Sequence, residues 1–318
     1  MDDSPSPDLL YAPHGEPGRF FNPWAPFNNS LAMVLRWQLG KKEYDKSGPI
    51  HVPVVANDGA YLKDRGQRDS VTWIGHSSFA VQDGGEVFLA DPHFGKRALV
   101  PPRVSPPGIP IGAVPGDAFA VLSHNHYDHL DDWTVRHLPE TIQWFVPLGL
   151  GAWFQKRGRR VVEMDWWRSV RHGKWTLTFL PAQHWSNRFG MARNSTLWGS
   201  WLLESGTRRY YFAGDSGYFH GFKEIGARYP GIDVAFLPIG AYEPRWFMRS
   251  QHVDPEEGYQ AFLDLGARYM CPMHWGCFDL TDEPTDLAPR VLDQILEERK
   301  AGRERVRTLA VGERWFPE

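Results

Sequence analysis

Short apolar runs recur along the chain from Val71 onwards, and most of them end in Gly, Pro, Asp or His. They are rich in Val, Ile, Leu and aromatic residues, which is the pattern of buried β-strands closed by turns. The runs predicted as strands are "VTWIG", "SFAVQ", "EVFLA", "AFAVL", "TIQWFVP", "WTLTFLP", "LWGSWLL", "RRYYFAG", "DVAFLPIG" and "RYMCPM".

Helical signals lie between some of these runs. The clearest begins at Asp254, a good N-cap, with Pro255 at the first helical position and Gly266 as the stop. The strands are too many for a single sheet with so few helices. We therefore expect an α/β fold in one domain, with two stacked sheets flanked by helices as a four-layer αββα sandwich.

The N-terminal part of the chain has a different character. Residues 1–20 are acidic and Pro-rich and predict a flexible leader, or one that lies over the surface, before a domain at residues 21–318. A short helix follows, capped by Asn29 or Ser30. We expect this helix to pack on the core, and contact with lipid is the alternative. Its apolar residues are Leu31, Val34, Leu35, Trp37 and Leu39.

Composition and charge limit the function classes. The chain has 15 Trp, 19 Phe and 11 Tyr, and its net charge of −3 argues against a nucleic-acid partner. The stretch "EERKAGRERVR" alternates bases with acids and predicts a solvated helix face. Cys271 and Cys277 are too few for a disulfide framework and predict free thiols in a reducing compartment. With no apolar signal segment and no run of about 18 apolar residues, we expect a cytoplasmic protein, peripheral at the inner face of a membrane at most.

Residues that can bind metal ions follow the ends of four predicted strands. If those ends gather at one edge of the sheets, seven ligands converge there. The strand "AFAVL" leads into His124, His126, Asp128 and His129, "WTLTFLP" into His184, "RRYYFAG" into Asp215, and "RYMCPM" into His274.

The spacing within the first cluster suggests two metal positions. His124 and His126 are two residues apart, so in extended chain they point the same way and can share one ion. Asp128 and His129 follow a turn and face a second position, and Asp215 is the natural candidate to bridge the two. Imidazole and carboxylate ligands without a thiolate favour two zinc ions, with iron or manganese as alternatives.

The H-x-H-x-D-H motif resembles the signature of the metallo-β-lactamase superfamily, and the later ligands follow in the order that this family uses. The resemblance implies that His124, His126 and His184 hold the first metal, that Asp128, His129 and His274 hold the second, and that Asp215 bridges them. It also implies that Asp91 in "LADP" supports a metal-bound histidine, whereas a turn aspartate before proline is the alternative.

Further motifs resemble the branch of N-acyl-phosphatidylethanolamine-hydrolysing phospholipases D, over about Phe20 to Glu283. They include "WIGHSSFAV", "LWGSW", "YFAGDSGY", "LPIGAYEPRWFM", "QHVDPEE" and "HWGCF". Ser216 stands where that branch is expected to have Thr, and "GKRALVPPRVSPP" is less typical. By this resemblance the enzyme cuts an N-acyl phosphatidylethanolamine to phosphatidic acid and an N-acylethanolamine.

Several residues near the predicted metals have candidate roles of their own. Asp128, Asp215 and His252 are the expected catalytic residues, and the region of Gln251 and His252 lines the active site, with helix capping as the alternative. Arg245 could hold a phosphate bidentately or fix its loop by pairing with Glu243. His76 is as well explained by a buried structural role as by a role in the site.

Two function classes compete with the phospholipase. A metallo-lactonase or a phosphodiesterase of a soluble metabolite would keep the same metal site and change the substrate. A binding protein on an inactive hydrolase fold is the other, and the complete set of seven ligands argues against it. The phospholipase hypothesis adds a phospholipid substrate and transient contact with a membrane surface.

Overall fold

Two mixed β-sheets form the centre of the computed structural model, which describes residues 6–25 and 30–318, apart from the side chain of Leu31. The strands are β1 Gly15–Glu16, β2 Arg19–Phe20, β3 Ser70–Gly75, β4 Ser78–Asp83, β5 Glu86–Ala90, β6 Phe119–Val121, β7 Gln143–Pro147, β8 Arg160–Met164, β9 Arg168–His172, β10 Trp175–Leu180, β11 Ser200–Glu204, β12 Arg209–Phe212, β13 Val234–Pro238, β14 Tyr269–Met273 and β15 Arg314–Trp315. The α-helices are α1 Leu31–Leu39, α2 Asp132–His137, α3 Gly151–Gln155, α4 Gly221–Arg228, α5 Arg245–Met248, α6 Pro255–Leu265 and α7 Leu287–Glu298. Short 3₁₀ helices lie at Pro7–Tyr11, Ala60–Lys63, Ile111–Ala113 and Arg303–Arg305.

One sheet has seven strands in the order β15-β3-β4-β5-β6-β7-β8, and the other has six in the order β14-β13-β12-β11-β10-β9. Strands β5 to β8 are parallel to one another, as are β12, β13 and β14. Strand β10 runs in the same direction as β12, because β11 is antiparallel to both. The chain therefore leaves β10, β12 and β14 at the same edge of the six-stranded sheet.

The alternation of side chains along β6 shows how the layers stack. Phe119 and Val121 belong to the apolar core between the sheets, together with residues of the six-stranded sheet. Ala120 faces the other way, into the cluster under α2 and α3. Helices α4, α6 and α7 cover the outer face of the six-stranded sheet. The predicted αββα sandwich is confirmed.

All ten predicted strands are present, and so is the predicted helix α6. Asp254 accepts a hydrogen bond from Glu257 N at its start, and Gly266 ends it in the left-handed conformation, with φ 61°. The apolar runs do not predict β1, β2, β8, β9 and β15. Of these, β8, β9 and β15 lie at the outer edges of the two large sheets, where side chains stay partly exposed and no apolar run is required.

The predicted helix face over "EERKAGRERVR" is wrong for most of its length. Helix α7 ends at Glu298, and Arg303–Arg305 forms a separate 3₁₀ turn. Arg305 donates to the backbone carbonyls of Ala267 and Arg268, so this side chain secures a neighbouring loop instead of lying free in solvent.

The described part of the leader lies against the domain. Leu10 is buried in the core, its carbonyl accepts a hydrogen bond from Trp167 Nε1 at 2.7 Å, and Tyr11 stacks on the Trp167 ring at 4.7 Å. Residues 6–20 therefore form a segment draped over the surface, with defined contacts. The flexible leader predicted for residues 1–20 also includes residues 1–5, which lie outside the described residues.

Helix α1 begins where it was predicted. Ser30 is its N-cap and accepts a hydrogen bond from Met33 N, whereas Asn29 lies outside the described residues. Its expected packing on the core is wrong for Leu35 and Leu39, which are 51% and 84% exposed. Among the described residues, no helix is both long and apolar enough to cross a bilayer.

Candidate metal centre

The seven predicted ligands meet at one edge of the sandwich, between the two sheets. The first four lie in the loop that follows β6 of the seven-stranded sheet, and the other three follow β10, β12 and β14 of the six-stranded sheet. Most are nearly inaccessible to solvent. One cluster of ligand atoms within 4.8 Å of one another comes from His124, His126, His184 and Asp215, and another comes from Asp128, His129, His274 and His76.

The first group contains His124, His126, His184 and Asp215. His126 Nδ1 lies 2.8 Å from His124 Nε2 and 3.1 Å from His184 Nε2. Asp215 Oδ2 lies 3.7 Å from both His124 Nε2 and His184 Nε2. Atoms bound to one tetrahedral zinc ion at ~2.0–2.1 Å are about 3.4 Å apart, so these separations fit a single ion.

The second group contains Asp128, His129 and His274, with His76 beside them and Asp215 close to the two predicted histidine ligands. Asp128 Oδ2 lies 3.5 Å from His129 Nε2 and 3.4 Å from His274 Nε2. Asp215 Oδ2 lies 3.2 Å from each of the same two nitrogens. Asp215 Oδ2 thus lies within 3.7 Å of predicted histidine ligands from both groups.

Unsatisfied polar atoms also indicate that a metal fits here. His129 Nε2, His274 Nε2 and Asp215 Oδ1 are buried without a hydrogen-bond partner among the described residues. Each such atom costs about 1–3 kcal/mol of stability in a folded protein. Coordination of a cation would remove this cost, so the residues present fit a metal pair.

The charges of the second group favour a cation. Burial raises the pKa of Asp128 and Asp215, but His129 and His274 outweigh it and hold both carboxyl pKa values well below the usual range. Burial lowers the pKa of His274, but Asp215 and Asp128 raise it overall, to about 9. The two buried carboxylates therefore remain ionised and stabilise positive charge between them.

The histidines of the first group have the opposite tendency. Burial is the main cause that lowers the pKa of His126 to about 4 and that of His184 to about 3, and it lowers the pKa of His124 well below its usual value. These imidazoles are neutral at pH 7, and the neutral form is the one that binds a metal.

Outer hydrogen bonds orient the predicted ligands. His129 Nδ1 donates to Asp91 Oδ2 at 2.6 Å, and His184 Nδ1 donates to the carbonyl of Gln251 at 3.0 Å. Asp91 is held in turn, because its Oδ1 accepts from Ser123 N at 2.7 Å. With Nδ1 protonated, each ring directs the lone pair of Nε2 into the site.

His76 belongs to the same environment. Its Nε2 donates to Asp128 Oδ2 at 3.0 Å, and its carbonyl accepts from His274 N at 3.2 Å. It also holds a left-handed backbone conformation, with φ 54°, which a residue with a Cβ adopts at an energetic cost. The structure thus places His76 in contact with two predicted ligands.

Arg188 also supports the site, although no motif in the sequence indicates it. Its Nη1 donates to the carbonyls of Asn125 at 3.1 Å and Leu130 at 2.7 Å, on both sides of the ligand loop after β6. Its guanidinium also lies 4.2 Å from the centre of the Tyr127 ring. Arg188 is recognised as a supporting residue by its burial and its contacts with the loop, and neither can be inferred from spacing in the sequence.

The guanidinium of Arg245 is paired with other groups of the protein and is not presented to a phosphate. Its Nη2 pairs with Glu257 at 2.6 Å and its Nε with Asp254 at 3.3 Å, while Nη1 donates to the carbonyl of His252 at 2.9 Å. The predicted partner Glu243 accepts a hydrogen bond from the backbone N–H of Arg245 through Oε2. With two carboxylates beside it, Arg245 has a structural role here, so the structure favours loop fixation over phosphate binding.

A cavity of about 610 Å³ opens above the two groups. Its floor includes predicted ligands together with Gln251 and His252, and its described lining also includes Arg193. His252 Nδ1 lies 3.9 Å from Asp215 Oδ2 and has no hydrogen-bond partner among the described residues. The walls are mainly apolar and include Val34, Trp37, Leu99, Phe247, Met248 and Leu280.

This fold and this arrangement of histidines and aspartates define a class of hydrolase. Residues 87–275 match the family described as the beta-lactamase superfamily domain. The chain belongs to the β-lactamase superfamily, has the metallo-β-lactamase fold and is a metal-dependent hydrolase.

Individual relatives give a finer comparison. The chain is 37% identical over 280 residues to N-acyl-phosphatidylethanolamine-hydrolyzing phospholipase D 1 of Caenorhabditis elegans, covering 82% of this chain and 77% of the relative. It is 32% identical over 254 residues to the mitochondrial N-acyl-phosphatidylethanolamine-hydrolyzing phospholipase D of Saccharomyces cerevisiae, covering 74% of this chain and 52% of that relative. A possible metal-dependent hydrolase from Veillonella parvula shares the fold, with a TM-score of 0.64 at 14% identity over 79% of this chain and all of that one. The resemblance predicted from the motifs is confirmed.

Proposed function

We propose that this protein is a binuclear zinc phosphodiesterase of the phospholipase D type. Its substrate is an N-acyl phosphatidylethanolamine, which it cleaves to phosphatidic acid and an N-acylethanolamine. The observation that carries the proposal is the closeness of Asp215 Oδ2 to histidines of both ligand groups, beneath a cavity with apolar walls. The similarity to relatives that are named for this reaction supports it.

The seven side chains of the two groups would hold the metal pair, with Asp215 common to both. The predicted ligands are three imidazoles in one group and two imidazoles with a carboxylate in the other, and neither group has a thiolate. This set favours zinc over iron or manganese. When bound, such a pair lowers the pKa of a water molecule towards ~7 and polarises the phosphoryl group of the substrate.

The residues of the chain supply orientation and proton contacts. Asp128 and Asp215 stay ionised and fix the charge of the site, while Asp91 and the Gln251 carbonyl fix the histidine rings. His252 faces the cavity with an unpartnered ring nitrogen, so it can hydrogen-bond an oxygen of the phosphodiester or of the leaving alcohol.

The cavity supports a lipid substrate. Its apolar walls can take up acyl chains and exclude water from the phosphodiester, and Arg193 adds a positive charge that favours an anionic substrate. Exposed apolar residues lie on the chain segments that form its rim, including Leu35, Leu39 and Leu99. We include transient contact with a membrane surface in the proposal, because these side chains can enter the lipid interface.

The test combines metal analysis with product analysis. Protein purified with zinc is expected to contain two zinc ions per chain by mass spectrometry. It should release phosphatidic acid and N-acylethanolamine from N-acyl phosphatidylethanolamine in mixed micelles. Bis(nitrophenyl) phosphate and a homoserine lactone serve as comparison substrates. Turnover of the soluble substrates alone would refute the lipid assignment and favour the lactonase or soluble phosphodiesterase.

A further inference from the structure

The chain segment that precedes α1 reaches the loop that carries His184. Asn22 is only 3% exposed, and its Nδ2 donates to the backbone carbonyl of His184 at 2.9 Å. Its Oδ1 accepts from Trp198 Nε1 at 3.0 Å. Trp24 Nε1 donates to Gln183 Oε1 at 3.2 Å, one residue before His184. Two side chains of this short segment thus hold consecutive residues of the ligand loop.

Asn22 holds the backbone carbonyl of His184, whereas the other hydrogen bond described for this residue is made by its ring. The ring is oriented by the bond from Nδ1 to the Gln251 carbonyl. The backbone carbonyl is held by Asn22, and without that donor it would be a buried acceptor that has lost its side-chain partner. A backbone shift of the loop would move the whole imidazole, whatever its ring orientation. Position and orientation of His184 are therefore fixed by two separate residues.

We propose that Asn22 is a positioning residue of the metal centre, which sets the distance of His184 from the other ligands of the first group. The proposal rests on the assignment of His184 as a zinc ligand under the proposed function. It implies that residues 21–25 help to hold the loop that carries His184. It also explains why a polar side chain is buried at Asn22 with both its donor and its acceptor used.

A purely structural role can be separated from positioning, because the N-terminal part of the chain has a second anchor. Trp167 Nε1 donates to the Leu10 carbonyl, well before residue 22 in the chain, and Trp167 contacts none of the seven predicted ligands through that bond. Trp167→Phe removes this anchor and keeps an aromatic ring for Tyr11. It is the matched control for loosening of the N-terminal segment.

The test variant is Asn22→Asp. It keeps the size of the side chain and the acceptor for Trp198, but it replaces the donor to His184 with a carboxylate oxygen that repels the carbonyl. Full-length protein is stripped of metal and titrated with Co²⁺, whose visible absorption reports the number and geometry of its ligands. Circular dichroism checks the fold, and Asn22→Thr takes the place of Asn22→Asp should the latter not fold.

We expect one of the two cobalt-binding steps to weaken about 10-fold or more in the Asn22 variant, the usual size for loss of an outer hydrogen bond to a ligand. Its absorption spectrum should change as well, and Trp167→Phe should match the wild type in both respects. Unchanged affinity and spectrum in a folded Asn22 variant would overturn the positioning role and leave the proposed function intact. A wild-type protein that takes up no cobalt would instead overturn the ligand assignment itself, and this inference with it.

Discussion

Replacement of Asp91 by asparagine should weaken one metal site while leaving the other intact. Asp91 Oδ1 accepts a hydrogen bond from Ser123 N, and Oδ2 accepts one from His129 Nδ1. The side chains of Asp91 and His129 are fully buried. In Asp91→Asn the amide oxygen must stay opposite Ser123 N, so its NH₂ group faces His129. His129 can accept from that group only if its proton moves to Nε2, which is the nitrogen that faces the second group.

The expected magnitude follows from that displaced proton. A proton on Nε2 competes directly with the metal, and loss of an outer partner of a ligating histidine costs about 10- to 100-fold in metal affinity. This corresponds to about 1.4–2.7 kcal/mol of binding free energy. The zinc affinities are measured by competition with a chromophoric chelator, and one of the two binding steps should weaken by that factor.

Asp83→Asn is the matched control. Asp83 is an equally buried carboxylate at the opposite end of the sandwich, where it accepts from Lys174, Ser205 and Tyr210. Its replacement should lower the free energy of unfolding, since charge-assisted bonds contribute about 1.5–3 kcal/mol each, and leave both zinc affinities unchanged. If Asp91→Asn folds and binds both zinc ions as tightly as the wild type, the proposed orientation of His129 is refuted.

Three further outcomes are expected. Asp215→Ala removes the atom common to both ligand groups, so zinc content should fall and turnover should drop at least ~100-fold; retained turnover would contradict the shared role. Burial raises the pKa of Cys277 to about 11 and raises that of Cys271 as well, so iodoacetamide should label neither thiol in the native protein at pH 8 and both after unfolding, as read by mass spectrometry. The double change of Leu35 and Leu39 to Ser should lower hydrolysis of vesicle substrate but not of bis(nitrophenyl) phosphate, because only the former requires contact with lipid; equal effects on both substrates would exclude such a contact.

The strands that the sequence predicts are those in which most or all side chains are buried. Strands such as β6 and β13 are covered on both faces, so every position is apolar and the run is visible in the sequence. Strands β8 and β9 lie at sheet edges and carry arginines at exposed positions, which removes the pattern. Edge strands therefore escape a search for apolar runs.

The same distinction applies to the site. The predicted ligands stand out in the sequence because their side-chain chemistry is unusual directly after a buried strand, as at His124 and Asp215. The residues that hold them come from remote positions and ordinary residue types: Asn22 is 162 residues away from His184 along the chain. Such partners are determined by the tertiary fold, and no periodicity or spacing connects them.

The origin of the ligands in two different sheets has a mechanical consequence. The loop after β6 extends from one sheet, and His184, Asp215 and His274 extend from the other. An ion held by either group would therefore link the two sheets to each other at this edge. Metal binding and cohesion of the sheets would then be thermodynamically linked. A chelator should lower the melting temperature as well as the activity, and strain that separates the sheets should release metal.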